Sequence, residues 1–196
     1  MTQIYFVGLG HMGGGMAANL VAAGFVVDGH DLDSAACERA AARGVSIVEP
    51  AVGYANADIV MTSLPGPAQV ASLGLDPGGL LDSVRPGTAW IELSTNDLPT
   101  ARRLAPVAVD RQVTLIDAPV SGGPEGAAAG TLSVYVGGPD DPVTRCAPVF
   151  DAIGANVDHL GPHGAGYAAK IAQVTLCYTQ TVTFVEALTL GVKGGV

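Results

Sequence analysis

The chain has 196 residues, 48% of them hydrophobic and 14% charged, which is enough to bury a full core. A formal charge of −9, from 18 acidic against 9 basic residues, argues against a nucleic-acid or an anionic membrane partner. Three widely spaced cysteines without a C-x-x-C pair argue against a disulfide framework and fit reduced thiols in a cytoplasm.

Ile4-Tyr5-Phe6-Val7 predicts a buried strand that begins too early to leave room for a signal peptide. It runs straight into Gly8, Gly10 and Gly13, spaced as G-x-G-x-x-G, and Met12, Met16, Leu20 and Val21 then recur at helical spacing up to a stop at Gly24. In the dinucleotide reading Gly8 makes the tight turn, Gly10 lets the backbone approach a pyrophosphate, and Gly13 packs helix on strand. The diphosphate then meets the free N–H groups at the helix start. A second apolar run, Phe25-Val26-Val27, leads to Asp31, placed about 20 residues on, where an acid accepts hydrogen bonds from the adenosine ribose. A bare glycine fingerprint also fits a mere tight turn; the flanking strand, helix and acid favour the nucleotide.

Asp33-Ser34 caps a predicted helix over Ala35–Ala42, closed by Gly44, and Val45–Val48 is a short β-branched strand. Asp58–Thr62 predicts a further strand, and Ser63-Leu64-Pro65-Gly66-Pro67 marks a loop at its carboxyl end. Thr88–Leu93 is the next strand, followed by Ser94-Thr95-Asn96-Asp97 and a helix over Thr100–Val109 behind Pro99. Val113–Ile116 then forms a strand ending at Asp117. Leu132–Val136 predicts another, Asp141–Ala152 a helix, and Asn156–Leu160 a last short strand. From 167 to 193 no proline occurs, and an apolar helix needing neighbours on several sides is predicted, with Cys177 read as a core residue. The fold class expected is α/β, a Rossmann-type doubly wound, mostly parallel sheet followed by the start of a long interdomain helix. The division expected is a nucleotide-binding domain over 1–163 and a helix over 164–196. No apolar stretch reaches membrane length unbroken, so no membrane partner is expected.

Asp117-Ala118-Pro119-Val120-Ser121-Gly122-Gly123-Pro124 carries a hydroxyl and two glycines that allow an anion nest suited to a small carboxylate; a glycine-rich turn is the alternative. Lys170, amid Ala168, Ala169, Ile171 and Ala172, is either a snorkelling surface residue or, if buried, a general acid/base with a lowered pKa. Asp117 is read as a structural acid at a strand end. His11 lies in the phosphate loop, facing solvent or phosphate. With His30, His159 and His163 it shows no metal-ligand spacing, so no metal is expected.

Taken in order, Gly8-Leu9-Gly10-His11-Met12-Gly13 with Met16–Leu20, Ser63-Leu64-Pro65, Ser94-Thr95, Asp117–Gly123 with Gly126-Ala127 and Gly130-Thr131-Leu132, and Gly164-Ala165-Gly166 before Lys170 resemble the β-hydroxyacid dehydrogenase family. The resemblance implies hydride transfer between a nicotinamide cofactor and the alcohol carbon of a small 3-hydroxy acid of the 3-hydroxyisobutyrate type. It implies that Ser121, Gly122 and Gly123 hold the substrate carboxylate and that Lys170 exchanges the hydroxyl proton. Gly8, Leu9, Gly10, His11, Met12, Gly13, Leu64, Pro65 and Thr95 would contact the cofactor. Asp31, with no arginine after it and Asp33 close by, favours NAD over NADP by repelling a 2′-phosphate. The chain departs from the family in two ways. The family asparagine one turn after the lysine is replaced here by Gln173 at i+3 and Val174 at i+4, so Gln173 takes the candidate substrate role. The family also continues past Val196 into an all-helical domain, which this chain is expected to lack, so association into a homo-oligomer through the last helix is expected. Two alternatives stand beside this reading: a non-catalytic dinucleotide-binding module, and an NADP-dependent semialdehyde reductase of the same family.

Overall fold

The computed structural model describes residues 2–196. Nine strands form one sheet: β1 (Gln3–Val7), β2 (Val26–His30), β3 (Ser46–Ile47), β4 (Ile59–Thr62), β5 (Ala89–Glu92), β6 (Thr114–Asp117), β7 (Val120–Ser121), β8 (Leu132–Gly137) and β9 (Gly154–Gly161). Their order is β3-β2-β1-β4-β5-β6-β8-β7, with β9 also paired to β8. The first six are parallel, β8 runs antiparallel to β6 and β7, and β9 is parallel to β8. The expected doubly wound sheet is present, extended by an antiparallel turn-back at one side.

Successive residues of a strand point to opposite faces, and both faces here are covered. Ile4, Phe6, Met61, Ile91 and Ile116 enter one core, while Tyr5, Val60, Trp90 and Leu115 enter the other. That double burial explains why these strands read as unbroken apolar runs.

The helices are α1 (Gly13–Ala22), α2 (Ser34–Ala41), α3 (Pro50–Asn56), α4 (Pro67–Leu75), α5 (Leu80–Ser83), α6 (Leu98–Asp110), α7 (Gly123–Ala129), α8 (Asp140–Arg145), α9 (Ala147–Ile153) and α10 (Ala165–Lys193). Four of them, the short α5 and also α3, α4 and α7, occupy segments where the sequence reading placed no helix. The last three each have a proline in the first turn, where the missing N–H costs nothing and the fixed φ helps the helix begin. The proline in each case opens a helix. The single helix expected over Asp141–Ala152 is two, α8 and α9, broken at Cys146 ahead of the proline in the first turn of α9.

α10 packs on β6, β8 and β9 through its first turns only. From Thr175 to Leu190 every residue is exposed. Cys177 therefore lies exposed, not in a core, because its part of the helix runs past the sheet. Among the described residues no helix is long and apolar enough to cross a membrane.

Leu104 on α6 is fully buried beside Trp90 in the second core. Leu104→Ala is expected to lower stability by about 2–5 kcal/mol, read from the shift in urea midpoint at constant slope.

Candidate functional site

The turn from β1 into α1 is built by close backbone contact. Gly8 has φ +91°, and a Cβ there would strike the carbonyl of Ser63; a Cβ on Gly13 would strike the carbonyl of Gly8. The Gly8 N–H donates to the His30 carbonyl at 2.9 Å. The Leu9 N–H donates to Asp31 Oδ2 at 2.6 Å, and the Asp33 N–H to Asp31 Oδ1 at 2.9 Å. An ionised carboxylate has about four acceptor sites, so Asp31 retains capacity for a ribose. Gly10 differs from its neighbours, because a Cβ there would meet nothing within 4 Å. Internal packing does not require glycine at that position, and its bare backbone faces open space. α1 begins with no side chain capping its N-terminus and no acid in its first turn. Its free N–H groups and the positive end of its dipole suit a diphosphate.

A cleft of about 830 Å³ opens over this turn. Gly8, Gly10, His11, Met12, Gly13, Asp31, Leu64 and Pro65 line it. Tyr54 and Gln69, from the helices the sequence reading missed, line it as well. Its size lies within the usual range for small-molecule sites. Two predicted residues fall elsewhere. The Leu9 side chain is in the core, leaving only its backbone at the turn. Thr95 is exposed and outside the lining.

The substrate-side candidates are separate from this cleft. Ser121 is half-buried at the end of β7, and Gly122 and Gly123 turn into α7 at φ +135° and +67°, conformations that a side chain would strain. Lys170 is only 8% exposed. Its Nζ donates to Gln173 Oε1 at 3.1 Å, so the amide at i+3 does reach the ammonium. Burial pushes the Lys170 pKa down, with the Cys177 thiol opposing in part.

Beneath Lys170 lies a polar interior of which the sequence reading found only Asp117. Asp117 is fully buried; Oδ1 accepts from the Gly164 N–H at 2.7 Å and Oδ2 from the Tyr167 N–H at 2.9 Å. His163 Nδ1 is 3.0 Å from Oδ1. Asp117 is thus the structural acid expected, and it caps α10 from across the fold. Glu92, its register partner on β5, is also fully buried. It accepts from the Tyr167 hydroxyl at 2.7 Å and from the Ser94 N–H at 2.9 Å. Burial pushes the Glu92 carboxyl up to about 7, against the lowering effect of hydrogen bonds from Ser94, Tyr167 and Thr62. Burial likewise pushes the Tyr167 hydroxyl well above its ordinary range. One signal was available in the sequence, a lone acid inside the apolar strand Thr88–Leu93. Among the described residues no cluster of metal-ligating side chains occurs.

The family model for the NAD-binding domain of 6-phosphogluconate dehydrogenase matches residues 3–161. Over its whole length the chain is 44% identical to a 3-hydroxyisobutyrate dehydrogenase of Pseudomonas aeruginosa and 42% identical to an NAD-dependent L-serine dehydrogenase of the same organism. It spans 66% of the length of each. The solved structure of 3-hydroxyisobutyrate dehydrogenase from Mycobacterium tuberculosis, with L-serine, superimposes on the full chain with a TM-score of 0.93 at 40% identity, and 66% of that protein is covered.

The Glu92 carboxyl binds its proton more tightly folded than unfolded, its pKa rising from 4.5 to about 7. Its contribution to stability is full below the lower value and is lost as pH rises through the higher one, by roughly 3 kcal/mol at most. Urea midpoints at pH 5 and pH 8 should therefore differ less in Glu92→Gln than in the wild type.

Proposed function

The chain belongs to the β-hydroxyacid dehydrogenase family and carries an NAD-binding domain of the 6-phosphogluconate dehydrogenase type, and from that premise we propose that it oxidises a small 3-hydroxy acid with NAD, or reduces the corresponding semialdehyde with NADH. The observation that carries this reading is Lys170, buried, held by Gln173 and set on a helix that packs against β8, the strand paired with Ser121. A lysine so placed takes the hydroxyl proton as the alcohol carbon is oxidised and returns it in the reverse direction. When bound, NAD supplies the hydride acceptor. Ser121 and the N–H groups of Gly122 and Gly123 bind the substrate carboxylate, fixing the alcohol carbon in place. Gln173 holds the lysine and offers its amide N–H to the substrate, in the role of the family asparagine.

NAD is preferred over NADP because the Asp31 carboxylate repels a 2′-phosphate. Arg39, on the neighbouring helix, lies 3.6 Å from Asp33 and directs its charge there. Residues 1–163 form the nucleotide domain, and 164–196 a connecting helix whose exposed apolar residues are the place for self-association. The free thiols fit a cytoplasmic setting. L-Serine is itself a 3-hydroxy acid, and the 42% identity to a protein named as an L-serine dehydrogenase favours it as a second substrate beside 3-hydroxyisobutyrate.

Fluorescence titration should give NADH an affinity about tenfold or more above NADPH, a preference lost in Asp31→Ala. With either hydroxy acid, Lys170→Ala should cut turnover by about 10²–10⁴ while NADH affinity is kept. NADH binding without wild-type turnover of either acid would favour the non-catalytic module.

A further inference from the structure

The proposed chemistry makes no use of Glu92, yet this carboxyl is fully buried and bonded on both oxygens. Its Oε1 faces the loops that follow β4 and β5. It accepts from the Ser94 N–H at 2.9 Å and lies 3.4 Å from Thr62 Oγ1, which accepts from Trp90 Nε1 at 2.9 Å. Ser94 Oγ in turn accepts from the Leu64 N–H at 2.7 Å, so one chain of bonds runs from Glu92 into the wall of the nucleotide cleft. Its Oε2 faces the other way and accepts from the Tyr167 hydroxyl at 2.7 Å. Tyr167 precedes Lys170 by three residues, so the two share one face of α10.

We propose that Glu92 is a positioning residue that ties the cleft-lining loop at Leu64 and the loop at Ser94 to the lysine-bearing helix, holding Lys170 in a fixed place relative to the bound nicotinamide. This rests on the dehydrogenase reading above. The groups packed around Glu92 are the Thr62 hydroxyl from β4, the Tyr167 hydroxyl from α10 and, on β6, Asp117 with His163 beside it. Asp117 holds the same turn of α10 through its backbone. Glu92 joins that turn to Ser94 and Leu64, and Asn96, from the same loop as Ser94, also bonds the Tyr167 hydroxyl.

The chain has two lysines, Lys170 and Lys193, so reductive methylation with a ¹³C label reports Lys170 against a single other side chain. Tyr167→Phe removes the hydroxyl alone and cuts the link. Glu92→Gln keeps an acceptor for Ser94 and offers an amide donor to the Tyr167 oxygen, so the link survives. Leu104→Ala, which removes none of these hydrogen-bonding groups, serves as a destabilised control. In Tyr167→Phe the Lys170 resonance should shift and its titration midpoint move toward the ordinary lysine range, with NADH affinity kept within about threefold. Glu92→Gln and Leu104→Ala should leave the Lys170 resonance near its wild-type position. The proposal is overturned if Tyr167→Phe merely lowers the melting temperature as Leu104→Ala does, with Lys170 unmoved. It is also overturned if Tyr167→Phe does not fold while Leu104→Ala does, since the pair then serves stability alone. Failure of the dehydrogenase reading is seen in the wild type, as absent NADH binding or a Lys170 titrating in the ordinary range, and it removes this proposal as well.

Discussion

Gly8 and Gly13, which bound the turn between β1 and α1, have no room for a side chain, and that steric limit orders the ligand-facing edge of the sheet. With Gly8 pressed on the Ser63 carbonyl and Gly13 on the Gly8 carbonyl, β1, the end of β4 and the start of α1 share one small volume. A methyl group at either position would push the elements apart. Because they stay together, the open N-terminus of α1, the Asp31 carboxylate and the Leu64-Pro65 loop converge on one cleft. The glycine at position 10 is of a different kind, since nothing in the protein crowds it.

The residues that could be read from the sequence are those whose chemistry is local. Strands buried on both faces show as unbroken apolar runs, and the glycine spacing marks the turn wherever the rest of the chain goes. Pro67 was read only as part of a loop, although the same ring that ends a strand also suits the first turn of a helix, as it does at Pro50 and Pro124, and only the residues after it decide. The break at Cys146 was hidden for a related reason, since Pro148 sits inside what looks like one amphipathic stretch. Cys177 was misjudged because apolar composition indicates a need for partners and does not supply them.

Glu92 and Tyr167 show a different limit. They are 75 residues apart, and neither has a partner within its own element. A glutamate at the end of a strand is ordinarily exposed, so its burial becomes visible only when α10 is laid across β5 and β6. Lys170 was an intermediate case. Its small apolar neighbours hinted at burial, but the choice between a buried and a snorkelling ammonium depended on the helix face that meets the sheet. The Gln173 contact followed from helical spacing once that face was known.

Two of the helices that begin near the carboxyl ends of the strands have contrasting tips. At α10 the amide groups of Gly164 and Tyr167 are already taken by the Asp117 carboxylate, an anion built into the chain. At α1 no such internal anion is present. The molecule therefore sorts negative charge before any ligand arrives. A diphosphate finds one tip vacant, whereas at the other it would have to displace a covalently tethered competitor that never diffuses away.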